Sequence, residues 1–192
     1  TKPLHSIVKL TVEQKGFVHG SLILDNAGYE STGKYQGTMY VSFSQLAGLN
    51  DTLSASITKD IGHHGDGHGS KQYAINYAVP DGNRMYRLST YQYSYHQLVF
   101  MPEAFRSSGN TRGIEFSVEQ VLNRTSRSKT AAVAKVIHKT RHSYIDDIEI
   151  GVQEQHTTAL ELGLSHRQYS GNTMSDIYLF YRQGIRGLGA TV

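Results

Sequence analysis

Cysteine and tryptophan are absent from the 192 residues, and proline occurs three times. Without cysteine there is neither a disulfide framework nor a thiolate metal site. Also missing is any apolar run near the ~20 residues that a membrane helix requires. That excludes a helical span and leaves a β-barrel open, because a barrel's signal is much weaker per segment. No secretory signal pattern opens the chain, since Thr1-Lys2-Pro3 leads straight into a strand-like run. Charge of one sign is scarce as well. The formal net charge is +3, from scattered Lys and Arg rather than a block. Nucleic-acid binding usually needs a clustered basic stripe, so nucleic acid is not an expected partner. No segment shows a helical period.

What is present is alternation, with 13 Tyr and 19 Gly suited to strands and turns. Tyr35, Gly37, Met39, Val41 and Phe43 alternate with Gln36, Thr38, Tyr40 and Ser42. After Ala47-Gly48-Leu49-Asn50, Leu53, Ala55 and Ile57 alternate with Ser54, Ser56 and Thr58. A period of two means a strand with one apolar and one polar face, and the short break makes a hairpin. Ser6 to Val12 is a short strand ahead of this unit, and Val18 to Asp25 another. The pattern returns near 73–79, 85–99, 114–118, 132–136, 148–153, 160–164 and 177–181. An all-β antiparallel meander of about nine strands is expected.

Connection lengths alternate. Those at 45–50, 80–83, 123–129 and 168–172 are short, whereas 60–71, 100–112 and 138–147 are expected as longer polar loops. Outer-membrane barrels have this asymmetry, with short periplasmic turns and long external loops. Soluble barrels can share it.

The sharpest local cluster is His63, His64, Asp66 and His68, a donor set that suits zinc or another borderline metal. Intervening glycines keep the stretch flexible, so binding would have to offset its ordering. A solvated loop is the plainer reading. Arg87, Glu115, Glu119, Lys135 and Glu161 all fall on polar strand faces. Glu115 and Glu119 lie about 13 Å apart at strand rise, too far to act together on one bond. No Gly-x-Ser-x-Gly elbow occurs. Tyr91, Tyr93 and Tyr95 share a face, as a ligand platform, an aromatic membrane belt or plain strand propensity, the last two preferred.

Several stretches, in order, resemble the outer-membrane transporters of two-partner secretion, the TpsB proteins. Asp25-Asn26-Ala27-Gly28-Tyr29-Glu30-Ser31-Thr32-Gly33-Lys34-Tyr35 is similar to that family's first barrel hairpin, and Leu46-Ala47-Gly48-Leu49-Asn50-Asp51 to its next turn. Gly69 to Gly82, Tyr95-His96-Gln97, Ser143 to Ile150 (with Asp146 and Asp147) and Leu160 to Arg167 continue the match. The resemblance implies a 16-stranded barrel behind two POTRA domains, exporting one large exoprotein of the haemagglutinin, haemolysin or contact-inhibition type. It implies that residues 1–16 end a periplasmic POTRA-like domain and linker. Residues 17–192 would then be the N-terminal part of the barrel, a fragment open at both edges. The family's Val-Arg-Gly-Phe/Tyr loop tip has no counterpart here, so no gating residue is carried over.

On this reading Met39, Val41, Leu53, Ile57, Ile75, Leu160, Leu162 and Leu164 face lipid. Thr38, Ser42, Ser54, Asn76, Arg87, Glu115 and Glu161 face the lumen. The expected partners are a TpsA-like exoprotein and outer-membrane lipid. No catalysis, cofactor or small-molecule substrate is expected. The alternatives are a soluble β-barrel with its apolar faces turned inward on a small ligand, and a metal-binding protein centred on His63, His64 and His68.

Overall fold

The computed structural model describes residues 16–62, 67–101, 103–187 and 189–190. The expected strand Ser6 to Val12 and the POTRA-like segment lie outside these, apart from residue 16. The strands are β1 (Val18–Asp25), β2 (Gln36–Ser44), β3 (Thr52–Asp60), β4 (His68–Asp81), β5 (Arg84–Met101), β6 (Glu103–Arg124), β7 (Ser128–Ile145), β8 (Ile148–Glu149), β9 (Gln155–Ser170) and β10 (Thr173–Gly184). They form one antiparallel sheet in the order β1-β2-β3-β4-β5-β6-β7-β9-β10, with β8 paired on β7. Among the described residues β1 and β10 do not pair, so the meander is an open sheet.

Register carries each sequence alternation across the whole sheet. One apolar rung runs Val18, Phe43, Leu53, Tyr77, Leu88, Phe116, Val136, Leu160. A polar rung on the opposite face runs His19, Ser42, Ser54, Asn76, Ser89, Glu115. A one-residue slip in any strand would invert its faces, so matched phase over nine strands fixes the register. Among the described residues the apolar face has no second layer. Met39 is 59% exposed and Leu162 51%, and Ala131 is the one buried hydrophobic side chain among the described residues. An uncovered apolar surface this continuous marks an interaction with another apolar phase rather than with water.

Three expectations are corrected. The stretches 100–112 and 138–147 are not long loops. β5 continues to Met101 and β6 starts at Glu103, so 84–124 is one hairpin of very long arms, and β7 likewise runs on to Ile145. Beyond the apolar belt the phase that carried the apolar residues turns polar, as at Gln92, Ser94, Asn110 and Arg112. Alternation therefore vanishes while the backbone ladder continues. The stretch 148–153 is not a full strand either. It holds the two residues of β8 and a 3-10 turn at Gly151–Gln153, and β7 pairs directly with β9.

The short connections are as expected. Those after β2, β4, β6 and β9 gather at one end of the sheet, and the long hairpin arms project at the other.

Candidate functional site

The polar face is organised by charge pairing across strands. Arg87, Ser117, Lys135, Glu161 and Arg182 occupy one rung over five strands. Lys135 Nζ lies 3.3 Å from Glu115 Oε1 and 3.3 Å from Glu161 Oε1. Arg182 Nε donates to Glu161 Oε2 at 2.8 Å, and its Nη2 contacts the same oxygen. Glu119 receives Lys129 at 2.8 Å and Arg87 at 3.2 Å. Nearer the turns, Arg167 holds Asp176 through two hydrogen bonds of 2.7 and 3.1 Å. Each carboxylate on this ladder is thus neutralised by a neighbouring strand. The result is a charge-paired face rather than a pair of acids poised on one bond.

The connection between β1 and β2 leans over this face. The Asp25 carboxylate accepts the Ala27 N–H at 2.9 Å, and the Gly28 N–H donates to the Lys34 carbonyl at 3.0 Å. Gln36 Nε2 donates to the Gly33 carbonyl at 2.6 Å. Two glycines are required here. A Cβ on Gly28 would sit 2.0 Å from the Gly33 oxygen, and Gly33 has φ +112 with a Cβ site 2.2 Å from Asp60 Cγ. Asn26 and Thr32 lie in the same loop, where Thr32 N–H donates to the Tyr29 carbonyl at 3.2 Å. Between this loop and the sheet is a cavity of about 510 Å3 lined by Tyr29, Thr32, Tyr91, Tyr93, Lys139 and Arg141.

Tyr91, Tyr93 and Tyr95 lie on the polar face, so the aromatic-belt reading does not hold for them. Tyr91 and Tyr95 pack over Gly113 and Gly109, whose Cβ sites would lie 2.3 and 2.7 Å from the rings. Glycine opposite an aromatic lets the ring lie flat and leaves the polar side of the sheet smooth.

At the turn end, Asp51 is fully buried between β2 and β3. Its carboxylate accepts the Ala47 N–H at 3.0 and 3.2 Å and the Leu49 N–H at 3.3 Å. Burial pushes its pKa up, but those N–H groups outweigh burial and hold it below the ordinary value. At the opposite end, Asp146 and Asp147 form the two-residue turn between β7 and β8, with φ 47 and 65. Such turns need positive φ at both positions, which Asp tolerates. Next to it His142 Nδ1 lies 2.6 Å from Glu149, and His156 Nε2 lies 2.7 Å from Glu154. The His156 hydrogen bond holds the Glu154 carboxyl below its usual range.

All eight residues expected to face lipid share the apolar face, and all seven expected to face the lumen share the polar one. His63 and His64 lie outside the described residues, and His68 is on the polar phase of β4. No group of His, Cys, Asp and Glu able to hold a metal occurs among the described residues. The sequence pattern named Arg87, Glu115, Glu119, Lys135 and Glu161 separately. It missed Lys129, Arg182, Lys139 and Arg141, whose signal is their parity once register is known.

A family model described as haemolysin secretion/activation protein ShlB/FhaC/HecB matches residues 5–192. The chain is 32% identical over 169 residues to the outer membrane transporter CdiB-2 of Burkholderia pseudomallei (strain 1026b), covering 88% of this chain and 29% of that protein. It is 23% identical over 189 residues to the hemolysin transporter protein HpmB of Proteus mirabilis, covering 96% and 33%. Among solved structures, CdiB from Acinetobacter baumannii superposes with TM-score 0.78 at 31% identity, covering 89% of this chain and 32% of that one. CdiB from Escherichia coli gives 0.89 at 24% identity, covering 94% and 34%. The chain spans about a third of the length of these relatives.

Proposed function

The chain belongs to the haemolysin secretion/activation family of outer-membrane proteins, and on that premise we propose that it contributes strands to a transmembrane barrel that exports a large exoprotein by two-partner secretion. The exoprotein is of the haemagglutinin, haemolysin or contact-inhibition type. Residues 1–16 end a periplasmic POTRA-like domain and linker, and 17–192 supply the N-terminal part of the barrel. The tight turns after β2, β4, β6 and β9 face the periplasm, and the long β5–β6 hairpin stands outside the cell.

One observation carries this reading, the segregation of apolar and polar phases over nine strands with none of the described residues covering the apolar one. In a barrel that face meets lipid, and every interior backbone group is satisfied by its neighbouring strand. The paired charges of Arg87, Glu115, Glu119, Lys135, Glu161 and Arg182 then line a water-filled route for an unfolded polypeptide. Their role is to keep the wall hydrated and without strong net attraction, so that a passing chain is not retained. No bond is made or broken, which agrees with carboxylates that are each already paired.

The test is membrane behaviour of the intact protein. It is expected in the outer-membrane pellet after carbonate washing, with a heat-dependent gel shift. Recovery as a soluble monomer without detergent would restore the soluble-barrel reading.

A further inference from the structure

On the apolar phase, the last rungs at the hairpin end change character. Ile57 and Tyr73 are opposite each other, and the next outward pair is Lys59 and Lys71. That rung continues through Ser94 and Asn110. Like charges directly opposite on a sheet are destabilising. Lys59, Lys71 and Arg106 make no ion pair among the described residues, although Lys71 Nζ lies 4.7 Å over the Tyr73 ring.

These cations surround a groove of about 550 Å3, also lined by His96, Asn110 and Tyr144. Its floor is Gly69, where a Cβ would meet the His96 ring at 2.9 Å, so a side chain there would crowd the space. Asp60 reaches the groove from the other phase. Its carboxylate is turned to the Gly62 N–H at 2.9 Å and to Gly33. Independently, Asn110 Oδ1 is buried with no hydrogen-bond partner. Buried polar atoms are normally satisfied, so a turn of the Asn110 amide toward the groove it lines would gain a partner there.

We propose that this groove binds the phosphorylated sugar headgroup of an outer-leaflet glycolipid. The cations take the phosphate, where ammonium and guanidinium groups make strong charge-assisted bonds. A turn of the Asn110 amide into the groove would bring it to a sugar hydroxyl, which inorganic phosphate alone would not supply in the same geometry. The site lies one rung beyond the apolar belt and on the same face, so a lipid whose chains cover Ile57 and Tyr73 places its headgroup at Lys59 and Lys71. Basic groups at this depth attract anionic headgroups in membranes generally. The proposal rests on the membrane reading above.

The experiment uses the intact protein purified in detergent, with lipid A as probe and native mass spectrometry as readout. The unmodified protein is expected to hold lipid A. Enzymatically dephosphorylated lipid A, and the K59Q/K71Q/R106Q variant with lipid A, should each bind at least tenfold more weakly. R106Q alone, at an exposed position, should lose several-fold, and R127Q, exposed in the turn at the other end of the sheet, should lose nothing. The heat-dependent gel shift verifies that each variant is folded. Equal binding by the triple variant or by the dephosphorylated lipid would overturn the proposal, as would loss in R127Q. Displacement by millimolar inorganic phosphate would assign the groove to free anions and overturn the lipid assignment. A protein that is heat-modifiable and membrane-bound yet takes no lipid A loses this site alone. One that needs no detergent loses the barrel reading itself.

Discussion

Asp146 and Arg106 are forty residues apart and bind each other through two hydrogen bonds. The Arg106 N–H donates to Asp146 Oδ1 at 2.8 Å, and the Asp146 N–H donates to the Arg106 carbonyl at 2.9 Å. They extend the β6–β7 ladder past its last register pair, Ser107 with Ile145. The turn that ends β7 is thereby locked to the flank of the longest strand.

Asp146→Ala should loosen this end of the sheet, and Asp147→Val should strain it. Asp147 has φ 65, and a β-branched residue there costs about 1–2 kcal/mol. Limited proteolysis is expected to cut both variants within 146–154 faster than the parent. Asp147→Gly should be cut no faster. Equal cutting of all four proteins would show that the turn is not held this way.

The facing of the sheet can be tested at paired positions. Cysteines at Val41 and Ile57 should react with lipid-restricted reagents, and those at Ser42 and Thr58 with small water-soluble ones. Arg at Val41 or Ile57 should cost about 2–4 kcal/mol near the bilayer midplane and less at an interface. A reversed labelling pattern would mean that the lipid and lumen faces are exchanged.

Lys135 lies between two carboxylates, so Lys135→Met should destabilise the folded protein by about 1 kcal/mol, the scale of partly exposed pairs. Adding Glu161→Gln should restore part of the loss. A double-mutant cycle in denaturant titrations measures the coupling, and strict additivity would argue that the pair is not formed.

Both ends of the sheet should respond to acid. Asp51 and Glu154 have folded pKa values below their ordinary ones of 3.8 and 4.5. Their stabilisation is complete above those ordinary values and is lost as pH falls through the lowered ones. Proteolytic protection of 45–51 and 146–154 should hold at pH 6 and fade below about pH 4, with the pH dependence at 146–154 reduced in Glu154→Gln. A loss of protection already complete at pH 6 would argue against both carboxylates as its cause.

The sheet's order and its two faces were legible because alternation at Met39, Val41, Leu53 and Ile57 survives translation into register. The length of β5, β6 and β7 was not, because Gln92, Asn110 and Thr140 are polar on a phase where apolar residues were the marker. The stretch at Ile148, Ile150 and Val152 misled for the opposite reason. It alternates in sequence, yet Asp146 and Asp147 turn the chain back on β7 before a new strand is established. The charge ladder was legible as a set of polar-phase residues, but its pairing was not, because Glu119 reaches Lys129 across the sheet and Glu161 reaches Arg182. The groove at Lys59 and Lys71 had no motif. It arises only when four strands place scattered basic residues and Asn110 side by side.

The uninterrupted neighbour-by-neighbour pairing also bears on how the protein is made. In the main strand path every strand hydrogen-bonds to the strand before it, across connections as short as the two residues Gly82 and Asn83. Pairing between consecutive strands lets each hairpin close from its own turn and spares the chain the entropy of joining distant strands first. The strands can therefore be laid down one after another as the polypeptide is delivered from its N-terminal side, each completed hairpin offering a finished edge to the next. A substitution at Gly82, whose φ of 55 favours glycine, is then expected to delay the β4–β5 hairpin and the pairing that builds on it.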